Sequence, residues 1–518
     1  MSDFKECHSL PAKYISSKKC DNSINLFQQL TEAARQVVVQ RRKGHLCSWM
    51  ALFVLVVQSV LPFGAARAED IQAANPEQHL LIATDEQGLN SEALSKQILL
   101  KEIELERFNI HYSLETSKSS RWKHWRYFCL QEADASLTDA GFITVLSERA
   151  KHIRSPQKIC LHTIETGVVV RTIAPWFGIA ASTSELGLDF WRDHQLSKLG
   201  FSPAAAKAHV ITLRHEIDQL IKDRDALLQQ EQASNTQGAD MEMAEGEVLK
   251  DIRDLSLVEF ERFHIGSRRY RAFEKCLYLL DITNNSILAA VNLVSLEAVR
   301  KRQAKLDGPV GALAVVYGSI GVLTPVVALS LRKLVGDYDK RSLAACTGGL
   351  QTREVTKLDA DRDRLRQLCQ AHDKENMDTA CGTIARLGMY ESHSKTFRDQ
   401  LATAQKEIRA GNRAATMNLI AGSIVGGSII GAGAVIATAG YHYPTNARRF
   451  NTLVAAGTTA VVGGVSIVVL DNVRIQVQNE INRHRLARKG LLPAQALTAR
   501  LKQLDEIEST LKKTPTRS

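Results

Sequence analysis

The chain has 518 residues, of which 44% are hydrophobic, 24% charged and 6% aromatic, with 11 prolines. This composition excludes a disordered or collagen-like polymer, and so few aromatics and prolines argue against a long, turn-punctuated all-β protein. The net charge is +10 and the mean hydropathy −0.15, too polar for a chain lying mostly in lipid.

At the N-terminus, Arg41, Arg42 and Lys43 precede an apolar stretch from Trp49 to Phe63, followed by Ala66-Arg67-Ala68. A basic flank, a short greasy core and small residues at the cleavage positions are the parts of a secretory signal. Cleavage is expected after Ala68, with Ala66 at the other small-residue position. The 40 polar residues before it do not fit a signal, so a start within Val37–Val39 is expected. Residues 1–68 hold nine Lys/Arg and four Asp/Glu, so the remainder carries about +5. No dense basic patch interleaved with aromatics follows, so nucleic acid is not an expected partner.

Three runs lack any charged residue: Gly308–Leu331, Ala414–Ala447 and Asn451–Leu470. Each is long enough for a membrane-spanning helix, which needs about 20 apolar residues. The second and third are expected as a tight hairpin turning at Tyr441-His442-Tyr443-Pro444. The reading is therefore a mainly α, signal-bearing integral membrane protein with helical soluble regions and a Gly-rich transmembrane bundle. Its expected parts are an N-terminal extension plus signal (1–68), a helical extracytoplasmic domain (69–307), span 1 (308–331), a helical hairpin domain (332–413, cytoplasmic, alternatively periplasmic), span 2 (414–440), a turn (441–450), span 3 (451–470) and an amphipathic helical tail (471–518).

Orientation rests on basic residues near the inner ends, such as Arg332, Lys333, Lys340, Arg341, Arg474, Arg483 and Arg485. Arg300, Lys301, Arg302, Lys305, Arg448 and Arg449 count against it. The alternative makes Tyr278–Val299 a fourth span and puts 332–413 on the same side as the N-terminal domain. Its cost is Asp281, Asn284, Asn285, Asn292 and Glu297 inside the bilayer, with about 2.5–3.5 kcal/mol for a central acid alone. Residues 166–187, broken by Gly167, Pro175 and Gly178 and carrying Arg171, are not expected to cross. Glycines at four-residue spacing remove side chains from one helix stripe and let backbones approach. The expected helix-packing positions are Gly422, Gly426, Gly427, Gly431, Gly457 and Gly463. The three runs contain no ionisable group, which argues against an ion-coupled pump.

The soluble parts read as helices. Ser202-Pro203 is a capped start. Val210, Leu213, Ile217, Leu220 and Leu227 follow on a heptad seam interrupted by Arg224, predicting a coiled coil or helical hairpin with a partner from Glu247 toward Leu280. Val355, Leu358, Leu365 and Cys369 make a second seam. Leu497, Leu501, Leu504 and Leu511 make the tail amphipathic, suited to a partner helix or the membrane surface. Trp122, Trp125 and Phe128 share one helix face.

Catalytic and metal-binding patterns are absent from the sequence: no HExxH, Walker loop, nucleophile elbow or CxxC occurs. Cys369 and Cys381 flank His372 and Asp373 without metal-site spacing. No catalytic, cofactor-binding or metal residue is expected, and no cofactor. Cys129 and Cys160 are a candidate disulfide in an exported domain. The expected function is a non-catalytic scaffold or interaction protein of the bacterial inner membrane, with its large N-terminal domain in the periplasm. Membrane lipid and a protein partner, or a second copy, are its expected partners. An oligomeric pore or membrane-perturbing protein is the alternative, and an extracytoplasmic enzyme with a pocket in 69–307 the third reading.

Overall fold

The structure is a computed structural model that describes residues 91–117, 121–233, 239–347, 355–373, 383, 386–392, 422–488 and 493–513. All belong to the compact unit Glu86–Ser518. The signal segment, with Ala66 and Ala68, lies outside the described residues, as does all of 393–421. The described residues are almost entirely helical and contain no strand. The long helices are α1 (Ser91–Ser117), α2 (Arg121–Lys151), α3 (Leu161–Lys198), α4 (Pro203–Ala233), α5 (Ala239–Arg300), α6 (Asp307–Thr347), α7 (Val355–Asp373), α8 (Gly422–His442), α9 (Ala447–Arg488) and α10 (Pro493–Lys513).

Local chemistry sets the ends. Ser202 Oγ accepts from the Ala205 N–H at 3.2 Å, and Pro203 opens α4 at the position where its missing N–H costs nothing. Gly200 adopts φ +76° beyond α3, and the Phe201 N–H returns to Leu196 O at 2.9 Å. This left-handed closure favours glycine.

Two regions are built from these helices. The first is a helical body. Ile98, Leu105 and Ile110 of α1 share one core with Val210, Leu213 and Ile217 of α4 and with Leu249, Ile252 and Phe260 of α5. Leu343, Leu358, Leu365, Cys369, Met389, Tyr390, Leu504 and Leu511 join the same core. The expectation that 69–307 and 332–413 stand on opposite sides of a membrane is corrected by this packing. A lipid bilayer cannot pass between side chains that pack in one dry core, so the alternative with a further span near Tyr278–Val299 is the compatible one. The amphipathic tail, suited to a partner helix or the membrane surface, meets a helix of this same chain: α9 runs on to Arg488, and α10 docks on α1 through Arg500–Glu106 at 2.6 Å and Arg107–Asp505 at 2.8 Å.

The second region is an apolar bundle of three antiparallel hairpins: α2–α3, the far half of α5 with α6, and α8–α9. The turns of all three meet at one end. Arg300 pairs with Glu165 at 2.7 Å, Asn451 exchanges hydrogen bonds with Arg149, and Tyr441 packs on Gly308. Helices α3, α5, α6, α8 and α9 are long and apolar enough to cross a membrane. The bundle keeps large apolar side chains on its outside, among them Ile173, Leu323, Val326 and Ile467. Aromatics stand exposed near both ends: Phe190, Trp191, Tyr270 and Tyr338 toward the body, Tyr441 at the turns. Gly308 lies at the Tyr441 level and Gly336 against Arg269, next to Tyr270. These 28 residues of α6 measure about 42 Å at 1.5 Å per residue, a bilayer with its headgroups.

Helix α3 runs unbroken through Pro175 and past Arg171, which corrects the expectation that 166–187 is too interrupted to span. The reason is compensation by neighbours. Arg171 donates to Ser295 Oγ, lies 4.6 Å over the Phe142 ring, and accepts from Asn292 Nδ2 at its carbonyl. Gly141 and Gly167 let α2 and α3 touch backbone to backbone: a Cβ on Gly167 would stand 2.8 Å from Gly141 O.

Candidate functional site: a polar layer inside the apolar bundle

Four helices bring polar side chains to one level inside the bundle. From α2 come Tyr127, Gln131, Asp134 and Thr138, from α3 Gly178 and Ser182, from α5 Asp281, Asn284 and Asn285, and from α6 Tyr317. They share a level because α3 runs antiparallel to both α2 and α5. Tyr127 donates its hydroxyl proton to Asp281, which Ser182 also reaches. Gln131 donates to Ser182 Oγ at 3.3 Å, and Thr138 to Asp134 at 3.4 Å. Tyr317 is hydrogen-bonded to Asn284, whose Oδ1 is buried without a partner. Gly178 has no side chain because Asp134 Oδ2 and the Asn285 amide fill that space. Asp134 is 7% exposed. Among the described residues, no lysine or arginine pairs with Asp134 or Asp281.

Nearer the body the charges are compensated. Arg126 grips the buried Glu185, and Lys123 bridges Asp189 at 3.0 Å and Glu274 at 3.5 Å. Trp125 donates its indole N–H to Glu480 at 3.0 Å and packs edge-on to Phe128.

A second polar constellation lies in the body. Arg386 forks onto Glu245 at 2.6 and 3.1 Å, Tyr390 donates to the same carboxylate at 2.7 Å, and Arg224 reaches it at 3.4 Å. Arg224 also donates to Ser95 Oγ at 2.7 Å. Burial alone would raise the Glu245 pKa, but Arg386 and Arg224 hold it below the usual carboxylate value. The arginine that breaks the α4 heptad seam is therefore the centre of an ionic tie among α1, α4, α5 and 386–392.

The residues singled out from the sequence fall unevenly. A Cβ on Gly426 would lie 2.8 Å from Gly318 O, one on Gly457 3.0 Å from Ala432 O, and one on Gly422 3.3 Å from Pro325. Gly427, Gly431 and Gly463 have nothing within 4 Å of a Cβ, so the contact stripe inside this chain holds only part of the glycine pattern. Gly311 and Gly433 also stand at the crossing of α6 and α8, where a Cβ on Gly433 would meet Gly311 O at 2.7 Å, and Gly440 approaches Gly308 more closely still. The Cys129–Cys160 disulfide is also corrected. Both thiols are free and exposed, Cys129 early in α2 and Cys160 beyond its far end. About 22 residues of helix between Cys129 and Lys151 span roughly 33 Å, well past disulfide reach. The side chains of His372 and Asp373, and residue Cys381, lie outside what is described.

The polar layer itself is what sequence reading missed. Its signal was present in Asp281, Asn284 and Asn285, which entered only as the cost of a fourth span. Among the described residues, no group of three His, Cys, Asp or Glu side chains could hold a metal ion. Compared with protein-family models, curated proteins and solved structures, the chain matches none of them.

Proposed function

We propose that the chain is a non-catalytic integral protein of the bacterial inner membrane that acts as a helical scaffold or interaction protein, its body on the periplasmic side. The observation that carries this reading is continuity. Helix α5, 62 residues and so about 93 Å long, runs without a break from the body core into the apolar bundle, and α6 runs back the same way. A displacement of the bundle is thereby delivered to the body as a rigid movement, which suits a scaffold.

Orientation is supported by the turns. Lys151, Arg154, Lys158, Arg300, Lys301, Arg302, Lys305, Arg448 and Arg449 crowd the end away from the body. Short basic turns belong in the cytoplasm. Residues that counted against the orientation in the sequence thus support it once the three turns are seen together, while Arg332, Lys333, Lys340, Arg341, Arg474, Arg483 and Arg485, which counted for it, stand at the body end and weigh the other way.

The test is photo-crosslinking in native membranes, with the reactive group at exposed body positions 104, 111 and 505 and at lipid-facing positions 323 and 467. Discrete protein adducts from the body and lipid adducts from the bundle are expected. No protein adduct at any body position would overturn the scaffold reading. The pore alternative is favoured by one feature, the polar layer between the helices. Conductance of the purified protein in planar bilayers would support it, and silence across lipid compositions would end it.

A further inference from the structure

We propose that the layer around Asp134 and Asp281 is an intramembrane proton-binding site, taking up a proton on this carboxyl pair and returning it to water on the body side. The bound proton forms an O–H bond on one aspartate, and its release restores the carboxylate; no other bond changes.

Three observations carry the inference. The two acids have only hydroxyl and amide neighbours: Tyr127 and Ser182 at Asp281, Thr138 and Asn285 at Asp134. An ionised carboxylate without a cation is expensive in an apolar bundle, and acids in such places line proton relays. Asn285, 7% exposed, presses its amide on Gly178 beside Asp134 Oδ2, while Asn284 Oδ1 is buried with no hydrogen bond. The Asn284 oxygen is thus a buried acceptor of the layer with no hydrogen bond. Finally, Asn285, which meets Asp134 at Gly178, stands one helical turn from Asp281 on α5, so the two carboxyls lie at neighbouring levels of the layer.

The ligand is a proton rather than a metal cation because the space is filled. A single added carbon at Gly178 would already collide with both Asp134 and Asn285. The ionisable groups beside the pair are Tyr127 from α2, Tyr278 from α5, edge-on to the Tyr127 ring, and Tyr317 from α6. The nearest cations are committed elsewhere, Arg126 to Glu185 and Arg171 to Ser295 and the Phe142 ring. Ser182 lies one helical turn from Glu185 and accepts from Gln131, which continues the polar row toward the body.

The test uses the full chain in lipid nanodiscs, with dicyclohexylcarbodiimide as the probe, since it modifies protonated carboxyls in apolar surroundings. Modification of Asp134 or Asp281, read by mass spectrometry, is expected at low pH. It should fall about tenfold per pH unit above the midpoint. D134N should leave Asp281 reactive with a displaced midpoint, D281N the reverse, and the double variant should lose the signal. Infrared spectroscopy of the same samples should show a protonated-carboxyl band that titrates in the native chain and disappears in the double variant at unchanged helicity. Absence of both the modification and the band, modification independent of pH, or its suppression by sodium at fixed pH would each overturn the proposal.

Discussion

At the scale of single residues, the body contains two buried groups that respond to pH in opposite directions. His264 is 3% exposed and shares a hydrogen bond of 3.1 Å with the Tyr112 hydroxyl. Burial, helped by Arg268, Lys207 and Arg271, pushes its pKa down from 6.5 to about 4. The folded form therefore resists a proton that the unfolded chain accepts. Stability is retained above about pH 6.5 and falls toward pH 4, by about 3 kcal/mol in all. Denaturant unfolding of the native chain and of His264→Gln at pH 7 and 5 checks this; the variant should lose most of the difference. Glu102 behaves in the reverse sense. It is fully buried, neither oxygen is hydrogen-bonded, and burial pushes its pKa well above the usual value, with Asp254, Glu106 and Asp218 adding to the effect against Arg253. Its raised folded pKa means stability is full below about pH 4.5 and declines as pH rises. Glu102→Gln should therefore raise the unfolding midpoint at pH 8 and leave it nearly unchanged at pH 4. The Glu245 site is the third case. Glu245→Gln strands Arg386 and Arg224 in a dry interior, and a loss of about 3–5 kcal/mol is expected in the same unfolding measurement.

At the scale of elements, the α6–α8 crossing depends on which glycines face the partner. Gly426 sits against Gly318 O and Val322, whereas its neighbour Gly427 has open space around it. Gly426→Leu should force the helices apart and cost about 1–3 kcal/mol by overpacking. Gly427→Leu should be nearly silent. Thermal stability of the two variants in detergent distinguishes them; equal losses would mean that the glycine spacing acts through helix propensity and not through contact. Helix α3 makes the complementary point. A proline and an arginine within an apolar run look like a break when read alone, yet α5 supplies Asn292 and Ser295, and α2 supplies Phe142, at the level where they are needed.

At the scale of the whole molecule, the three hairpin turns stand at one end and the body at the other. Five of these helices are long and apolar enough to cross a membrane, and α2, which is not, runs antiparallel to α3 between the body and the turns. Single cysteines at 154, 303 and 446 should be labelled by a membrane-impermeant maleimide only from the cytoplasmic face of inverted vesicles. Cysteines at 104 and 505 should be labelled only from the opposite face. Labelling of the 303 and 104 sites from the same face would refute the topology. The same experiment bears on the body, whose core draws on segments from residue 98 to residue 511. Such long sequence separations make the closure of the body entropically costly.

The sequence by itself determined the helical character, the three ion-free runs around 308–331, 414–447 and 451–470, the capped start at Ser202-Pro203 and the apolar seam of α4. These are local properties: hydrophobic run length and period are written in neighbouring residues. What only the tertiary structure decided is where the costly residues go. Arg224 breaks a seam on paper and ties four segments in space. Arg171 and Asp281 forbid a crossing on paper and find Ser295, Phe142 and Tyr127 on other helices. Windowed hydropathy charges a polar residue its full transfer cost, whereas the folded bundle refunds part of it through partners more than a hundred residues away. The membership of one body core by segments on both sides of a presumed membrane span was hidden for the same reason, because chain order carries no record of which helix ends meet.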